Sequence, residues 1–374
     1  MKKYCSIAIF LSLVFNSVLA QLSYTFSPGF IPQECDEVLQ LNDAFMNKVP
    51  VERFADSVGL TDYRFVYRSP SMGLDNLWDL WVRSDSTVVL MLRGTTGDPK
   101  SLLADFYCAM MPATGTVKLS ETDSFQYKIA EHEQAAVHAG FLAGFAYIAN
   151  DAQLKIDSLY KAGYHNYLIG GHSQGGSLVY YVSAWLYYLK KDGVYPDMQV
   201  KAYATAPPKM GNMYFVYDYD HIMRSEWAFS VTNSKDPVPE MPFTTQQLAT
   251  DMNEPNPLVD ARQGLKKQPL IKRMFLSSAY NKMNKKAIKS AKSYQKYLGK
   301  YVGKFINGMV PGLQLPDPVN STYFLRPGVP ISFIPEQNYF DFYKDNKSPY
   351  YHHGIEPYRF LLRQQYEGLM PIGE

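Results

Sequence analysis

Cysteine is scarce in this sequence, with 3 residues among 374. Cys5 lies within residues 1–20, beside the N-terminal apolar run, which leaves Cys35 and Cys108 either as one disulfide or as two buried free thiols. Net charge is also nearly absent, because the sequence contains 37 Lys and Arg and 35 Asp and Glu. We therefore expect no nucleic-acid partner. With 46% hydrophobic and 19% charged residues, the chain is not of the disordered or coiled-coil class and can bury a substantial core.

Long apolar runs are absent except near the N-terminus. Residues 1–20 contain two lysines, an apolar run from Ile7 to Phe15, and small residues before the Ala20–Gln21 bond, which predicts a secretory signal peptide cleaved near that bond. An N-terminal anchor is the alternative, but the run is much shorter than the ~20 residues that span a bilayer. We expect no transmembrane span in the mature chain, and a secreted, periplasmic or outer cell-surface location.

Strand-like and helical segments alternate along the mature chain. The apolar run at residues 88–92 is typical of a strand that is buried on both faces. This alternation predicts an α/β fold with a mostly parallel sheet covered by helices on both faces, as one domain over residues 21–374. The predicted strands are residues 63–68, 77–82, 87–92, 167–169, 200–205 and 227–232, and the predicted helices are residues 36–48, 134–162 and 177–191.

Residues 245–318 interrupt the alternation. Between Arg262 and Lys304 there are thirteen Lys or Arg and no Asp or Glu. Lysines recur there at three- or four-residue steps beside a second, apolar stripe, which predicts an amphipathic basic helix in a cap-like insertion. The residues of the apolar stripe are Ala287, Ala291, Tyr294, Leu298, Tyr301 and Phe305.

The pentapeptide Gly171-His172-Ser173-Gln174-Gly175 lies between an apolar strand and a helix, which is the setting of a nucleophile elbow. At such a turn Ser173 is exposed as a nucleophile, and Gly171 and Gly175 avoid Cβ clashes. The N–H of Gln174 then points with the helix N-terminus toward a developing oxyanion. A chance Gly-x-Ser-x-Gly in a loop is the alternative, and the flanking strand and helix disfavour it.

The order of the chain selects the partners of Ser173. Hydrolases with this elbow place an acid and then a histidine after the serine, and of the 7 histidines only His352 and His353 come late enough. The acid is predicted to be Asp236, which follows a strand in a proline-bounded loop. Asp218, Asp220 and Glu226 are the alternatives for the acid.

Several motifs in this order resemble the class 3 (fungal-type) lipase family, whose members have the α/β-hydrolase fold. His353, five residues before Tyr358, is similar to the histidine motif of the family's bacterial branch, which favours His353 over His352 as the base. The other motifs are Arg93-Gly94-Thr95, Leu103-Ala104-Asp105-Phe106, Val137-His138-Ala139-Gly140-Phe141, Ala206-Pro207-Pro208-Lys209-Met210-Gly211-Asn212 and Lys235-Asp236-Pro237-Val238-Pro239.

The resemblance implies a set of roles. Ser173 would attack an ester carbonyl, His353 would carry its proton, and Asp236 would orient His353. The backbone N–H groups of Thr95 and Gln174 would bind the oxyanion, with the Thr95 hydroxyl as a further donor. This chemistry needs no metal and no cofactor. We interpret His138 as a structural histidine.

Three functional hypotheses follow. The first is an exported serine ester hydrolase, a lipase acting on acylglycerols. The second keeps the triad but acts as a phospholipase, soluble esterase or acyltransferase, and the third is a non-catalytic surface binding protein on the same scaffold. For residues 262–304 we expect either a solvated helix face or peripheral contact with an anionic lipid surface.

Overall fold

The computed structural model describes residues 26–224, 226–253, 256, 269–348 and 350–369. The predicted signal peptide at residues 1–20 and its cleavage point lie outside the described residues. Among the described helices, none combines the length and the apolar composition that crossing a bilayer requires.

A seven-stranded sheet forms the centre of the molecule, in the order β1-β2-β3-β8-β9-β10-β11. The strands from β3 to β11 in this order run parallel, and β1 and β2 pair antiparallel at one edge. The predicted α/β-hydrolase architecture is confirmed. The strands are β1 (Tyr63–Arg68), β2 (Trp78–Arg83), β3 (Val88–Leu92), β8 (Asn166–His172), β9 (Gln199–Thr205), β10 (Ala228–Asn233) and β11 (Val329–Phe333).

Helices cover both faces of this sheet because side chains of a buried strand alternate between the faces. The helices are α1 (Pro32–Asp43), α2 (Val51–Ser57), α3 (Pro99–Phe106), α4 (Ala139–Lys161), α5 (Gln174–Lys191), α6 (Met213–Ile222), α7 (Leu270–Tyr294), α8 (Val302–Met309), α9 (Gln337–Phe342) and α10 (Ile355–Tyr366). In β3, Leu90 packs into the core on one side of the sheet, with α4, α5 and α6. Met91 packs on the other side, with α1, α2 and α10.

Two small antiparallel sheets accompany the central one. Their strands are β4 (Met110–Pro112), β5 (Thr114–Lys118), β6 (Ser124–Lys128) and β7 (Ala136–His138). β4 pairs with β7, and β5 pairs with β6.

The helix predicted over residues 134–162 is wrong at its start, because residues 136–138 form β7 and the helix begins at Ala139. His138 caps this helix, since its Nδ1 accepts the N–H of Phe141.

The basic insertion is helical from Leu270 to Met309, and a π-helical segment (Gln295–Tyr301) joins α7 to α8. The predicted apolar stripe is wrong at its end, because Tyr301 and Phe305 are 38% and 62% exposed. A π-helical turn holds more residues than an α-helical turn, which rotates the following helix and moves the buried face by about one residue. The buried side chains on that face are Ala291, Tyr294, Val302 and Ile306.

Cys35 and Cys108 are both buried free thiols. They belong to separate apolar clusters, Cys35 with α1 under the sheet and Cys108 beside Tyr294 of the insertion. The structure therefore has two free thiols, the second of the two alternatives that the sequence left open.

Candidate active site

Ser173 lies in a strained turn between β8 and α5, with φ 61° and ψ −126°. A positive φ is uncommon for a residue with a side chain and is a feature of functional turns. The surroundings require glycine, since a Cβ on Gly175 would lie 2.1 Å from the carbonyl oxygen of Leu92, and one on Gly171 would lie 2.4 Å from that of Gly175. The elbow therefore packs directly onto the end of β3.

His353 lies between Ser173 and Asp236. Its Nε2 is 2.8 Å from Ser173 Oγ, and its Nδ1 is 2.7 Å from Asp236 Oδ2. A carboxylate accepts only, so the neutral imidazole donates from Nδ1 and accepts the serine hydroxyl at Nε2. The three residues chosen from the sequence thus form one hydrogen-bonded line.

The side chain of His352, the alternative base, is directed at Tyr339 and not at Ser173. Its Nδ1 lies 2.8 Å from the hydroxyl of Tyr339, and its ring stacks on the same tyrosine. Burial lowers its pKa below the ordinary value. In this arrangement only His353 reaches Ser173.

Asp236 is 3% exposed in the loop after β10. Its Oδ1 accepts the N–H of Val238 at 2.9 Å, and its Oδ2 accepts the hydroxyl of Tyr358 at 2.8 Å as well as His353. Burial acts to raise the pKa of Asp236, but the hydrogen bond from His353 and the other donors outweigh it, so the net pKa lies below its ordinary value. The carboxylate is held ionised.

The alternative acids have other partners. Asp218 accepts the backbone N–H of Glu131 at 2.9 Å, Asp220 accepts that of Gly328 at 2.7 Å, and the Glu226 carboxylate lies beside Gly29, where Oε2 would be 3.6 Å from a Cβ on that residue. The structure brings Asp236, and none of these three, to His353.

Asp105 joins the two residues expected to form the oxyanion hole. Its Oδ2 accepts the Thr95 hydroxyl at 2.9 Å, and its Oδ1 accepts the side-chain amide of Gln174 at 2.8 Å. Burial raises the pKa of Asp105 to about 6, although both hydrogen bonds act to lower it. In this arrangement the Thr95 hydroxyl donates to Asp105, and its role as a further oxyanion donor stays a prediction.

The backbone N–H groups of Thr95 and Gln174 also remain predicted oxyanion donors. The N–H of Gln174 is at the first position of α5, where a helix has no internal carbonyl partner for it. Asp75 fixes the residues on both sides of Thr95 by accepting from Arg93 at 2.9 Å and from the Thr96 hydroxyl at 2.6 Å. The loop is therefore anchored by Asp75 at these flanking residues and by Asp105 at Thr95 itself.

His172 is a further residue of the site that the sequence reasoning did not use. It is buried, its Nε2 is 2.8 Å from the carbonyl oxygen of His353, and its Nδ1 is 3.0 Å from the Thr205 hydroxyl. Burial, and then repulsion by His353, lowers its pKa to about 3. Because a carbonyl only accepts, the neutral ring carries its proton on Nε2 and fixes the backbone of His353. Its position directly before Ser173 in the elbow was the sequence signal that could have identified it.

His138 lies apart from this line. Its ring is fully buried and stacks on Phe141 at 4.1 Å, and burial lowers its pKa to about 3. This is the environment of a structural histidine.

The site lies at the carboxyl edge of the parallel strands. Thr95, Ser173, Asp236 and His353 follow β3, β8, β10 and β11 in that order. Loops at this edge of an open α/β sheet are where such folds bind ligands. The arrangement supplies a nucleophile, a base with an orienting carboxylate and an anion-binding corner, which are the components of acyl transfer.

Comparison with known proteins supports this assignment of chemistry. A family model described as "Lipase (class 3)" matches residues 89–246, from β3 past the acid loop. The fold and this match define a carboxylic ester hydrolase of the lipase type. Residues 89–246 match the class 3 lipase family, and the resemblance predicted from the motifs is confirmed over these residues. None of the curated proteins compared with the chain matches it.

Among solved structures, the Lip2 lipase from Yarrowia lipolytica is similar, with 19% identity, a TM-score of 0.44, and coverage of 59% of this chain and 79% of its own. Lipase II from Rhizopus niveus has 18% identity, a TM-score of 0.40, and coverage of 57% and 73%. A triacylglycerol lipase from Penicillium expansum has 14% identity, a TM-score of 0.39, and coverage of 59% and 76%.

Proposed function

We propose that this protein is an exported lipase that hydrolyses acylglycerol esters through Ser173, His353 and Asp236. The observation that carries the proposal is the continuous hydrogen-bonded line from Asp236 through His353 to Ser173 at a strained elbow. A structural serine would not require a backbone strained in this way, nor a histidine oriented by a buried ionised carboxylate.

The proposed reaction has two halves. Ser173 Oγ attacks the ester carbonyl while its proton passes to His353 Nε2, and the N–H groups of Thr95 and Gln174 bind the oxyanion. Collapse of the intermediate expels the alcohol, which takes the proton from His353. Water then attacks the acyl-enzyme by the same route and releases the fatty acid. Asp236 remains ionised and stabilises the imidazolium.

We further propose that the enzyme acts outside the cytoplasm, at the cell surface, in the periplasm or in the medium. The support is the sequence of residues 1–20, with lysines, an apolar run and a small-residue cleavage site.

The insertion is proposed to dock on an anionic lipid surface. Lysines on the exposed side of α7 lie on the same helix as apolar side chains that no other part of the described chain covers, among them Ile271 and Phe275, which are 82% and 72% exposed. Lysine-rich helices with exposed apolar residues suit the headgroup region of such a surface. The charge excess of this segment favours anionic lipid over a neutral film.

Substitution of the triad tests the proposed chemistry. We expect Ser173→Ala to abolish labelling by a fluorophosphonate probe and to lower ester hydrolysis by up to about 10⁶-fold, because the triad acts as a unit. His353→Ala should cost about 10⁴-fold or more, as should Asp236→Asn, which removes the acceptor that orients the imidazole. His352→Ala is the matched control and should stay within about tenfold.

The outcomes separate the alternatives. A Ser173→Ala variant within tenfold of wild type, or a wild-type protein that the probe does not label, would support a non-catalytic binding protein. Labelling with hydrolysis confined to phospholipids or to soluble short-chain esters would keep the triad and replace the acylglycerol substrate.

A further inference from the structure

The helical insertion contacts the chain immediately after Asp105. Asp105 lies in the last turn of α3, and the chain leaves this helix through Tyr107 and Cys108. The N–H of Cys108 donates to the carbonyl oxygen of Leu298 in the π-helical segment at 3.0 Å. The thiol of Cys108 donates to the carbonyl oxygen of Asp105 at 3.4 Å. One buried residue therefore links the insertion to the segment that carries Asp105.

A second contact lies one turn further along the insertion. A Cβ on Gly303 of α8 would lie 2.8 Å from the Tyr107 hydroxyl oxygen and 2.9 Å from its Cζ. The Tyr107 ring therefore lies directly against the bare backbone of α8, and any side chain at Gly303 displaces it. Tyr294 packs beside Cys108 in the same apolar cluster.

The π-helical segment is what brings both contacts to one face. With the extra residue of this segment, Val302 and Ile306 are buried in the core. Gly303, the residue after Val302, then lies against the Tyr107 ring. A carbonyl oxygen has two lone pairs, so Leu298 can accept from Cys108 in addition to a partner within its own helix. π-Helical turns are frequent at functional sites.

We propose that the insertion is a positioning element of the oxyanion loop. Leu298 and Gly303 hold Cys108 and Tyr107, these fix the last turn of α3, and Asp105 in that turn holds the side chains of Thr95 and Gln174. The proposal rests on the function proposed above, because it assigns these contacts a role in the same acyl transfer. It also gives the insertion a role in turnover of soluble esters, which lipid docking alone would not.

The role depends on small displacements. An oxyanion donor contributes only when it lies within about 0.5 Å of its productive position, and loss of one donor costs about 10²–10³-fold in kcat. A Cβ on Gly303 would lie within 3.0 Å of the Tyr107 hydroxyl oxygen and Cζ, so the end of this ring or α8 must move. The proposal requires that the side-chain torsions of Tyr107 do not absorb this movement, so that it reaches Asp105, two residues earlier in the chain.

The test compares two glycines of the same helix. Gly303 faces Tyr107, whereas a Cβ on Gly308 would meet no atom within 4 Å. We expect Gly303→Leu to lower kcat per titrated active site on a soluble short-chain ester by about 10- to 100-fold, with KM changed less than about twofold. Gly308→Leu, with the same change of residue in the same helix, should keep wild-type kcat.

A substrate pair separates positioning from stability. The sulfur of a thionoester is a weak hydrogen-bond acceptor, so its turnover depends little on the oxyanion donors. Gly303→Leu should therefore lower turnover of the oxygen ester at least tenfold more than that of the matching thionoester. Equal losses on both substrates, or equal kcat for the two leucine variants, would overturn the proposal.

Two controls keep the result interpretable. If Gly303→Leu lacks a cooperative thermal transition, the Gly303→Ala and Gly308→Ala pair decides instead, because the Cβ alone makes the close contact with Tyr107. If the wild-type protein is neither labelled by a fluorophosphonate nor active on the ester, the proposed function has failed, whereas an active wild type with an unaffected Gly303→Leu variant contradicts the positioning role alone.

Discussion

Two carboxylates of the candidate site have pKa values shifted in opposite directions. Asp236 is buried and Asp105 is half-buried, and desolvation acts to raise the pKa of each. Asp236 receives a hydrogen bond from the imidazole of His353, which can become positively charged, and its net pKa falls. Asp105 receives only the neutral side chains of Thr95 and Gln174 as hydrogen-bond donors, and its pKa rises to about 6. Asp236 also accepts from Val238 and Tyr358, so its stabilising contacts outweigh desolvation, whereas those of Asp105 do not.

This difference predicts how stability depends on pH. Between its ordinary pKa of 3.8 and its folded pKa of about 6, Asp105 binds more proton in the folded than in the unfolded chain, so its contribution to stability is lost as pH rises through this window. We expect Asp105→Asn to gain up to about 3 kcal/mol in unfolding free energy relative to wild type between pH 4 and pH 7. Urea unfolding of both proteins across this range measures the difference.

The comparison isolates Asp105. Burial also raises the pKa of Asp43 to about 6, but Asp43 is present in both proteins and its contribution cancels. Asp236 acts below pH 4, because its folded pKa is lowered. A stability difference between the two proteins that stays constant from pH 4 to pH 7 would contradict the raised pKa of Asp105.

The sequence could not choose firmly between His352 and His353. They are adjacent in a 3₁₀ turn, where successive side chains point about 120° apart, so one reaches Ser173 and the other Tyr339. Which one does so depends on how α10 and β10 place this turn. Ser173, His353 and Asp236 could be selected from local motifs, whereas the contacts of Asp105 with Thr95 and Gln174 depend on a tertiary arrangement that its own motif does not state.

At the scale of elements, the strands predicted best were the continuous apolar ones. β3 is buried on both faces and was recognised, but β11 was not. β11 is an edge strand, four of its five residues are not buried, and it contains Pro330, which cannot donate a ladder hydrogen bond. Its strand character comes from pairing with β10 and not from its own pattern.

The insertion shows how one local irregularity alters a helical pattern. A regular helix would bury Phe305, as the periodicity predicted, but the π-helical segment turns Ile306 inward instead. We expect Ile306→Ala to lower the unfolding free energy by about 2–4 kcal/mol, because it leaves a cavity in the core. Phe305→Ala, at a side chain that is 62% exposed, should change it by less than about 1 kcal/mol. Denaturant unfolding of the two variants measures both changes in unfolding free energy. A larger loss for Phe305→Ala than for Ile306→Ala would contradict the π-helical register and support a regular helix.

At the scale of the whole molecule, charge is separated along the chain. The thirteen basic groups of residues 262–304 are balanced by an excess of thirteen acidic groups in the rest of residues 21–374. A nearly neutral protein is thereby strongly polarised. Attraction to an anionic surface would orient the molecule with the insertion toward that surface. The insertion is also linked to the chain that follows the acid loop, because the hydroxyl of Thr245 lies 3.3 Å from the hydroxyl of Ser290 in α7. The orientation of the insertion therefore bears on the site.

Four lysines of α7 allow a test that leaves the π-helical segment intact. Substitution by Gln removes their charge while keeping a long polar side chain. They are exposed, they precede Gln295, and neutralising them does not touch Leu298 or Gly303. These residues are Lys282, Lys285, Lys289 and Lys292.

We expect this fourfold variant to bind vesicles that contain anionic phospholipid at least about tenfold more weakly than wild type, because each near-surface lysine adds attraction. Hydrolysis of acylglycerol in those vesicles should fall in parallel, while turnover of a soluble ester stays within about twofold. Raising salt should weaken wild-type binding in the same way, since the attraction is screened over a Debye length of ~8 Å at physiological ionic strength.

A control variant with Gln at four exposed lysines elsewhere, Lys48, Lys118, Lys161 and Lys344, changes the net charge equally and should bind as wild type. Vesicle binding that neither the fourfold variant nor salt alters would leave the lysines as a solvated face, and equal weakening by the control would attribute binding to net charge alone.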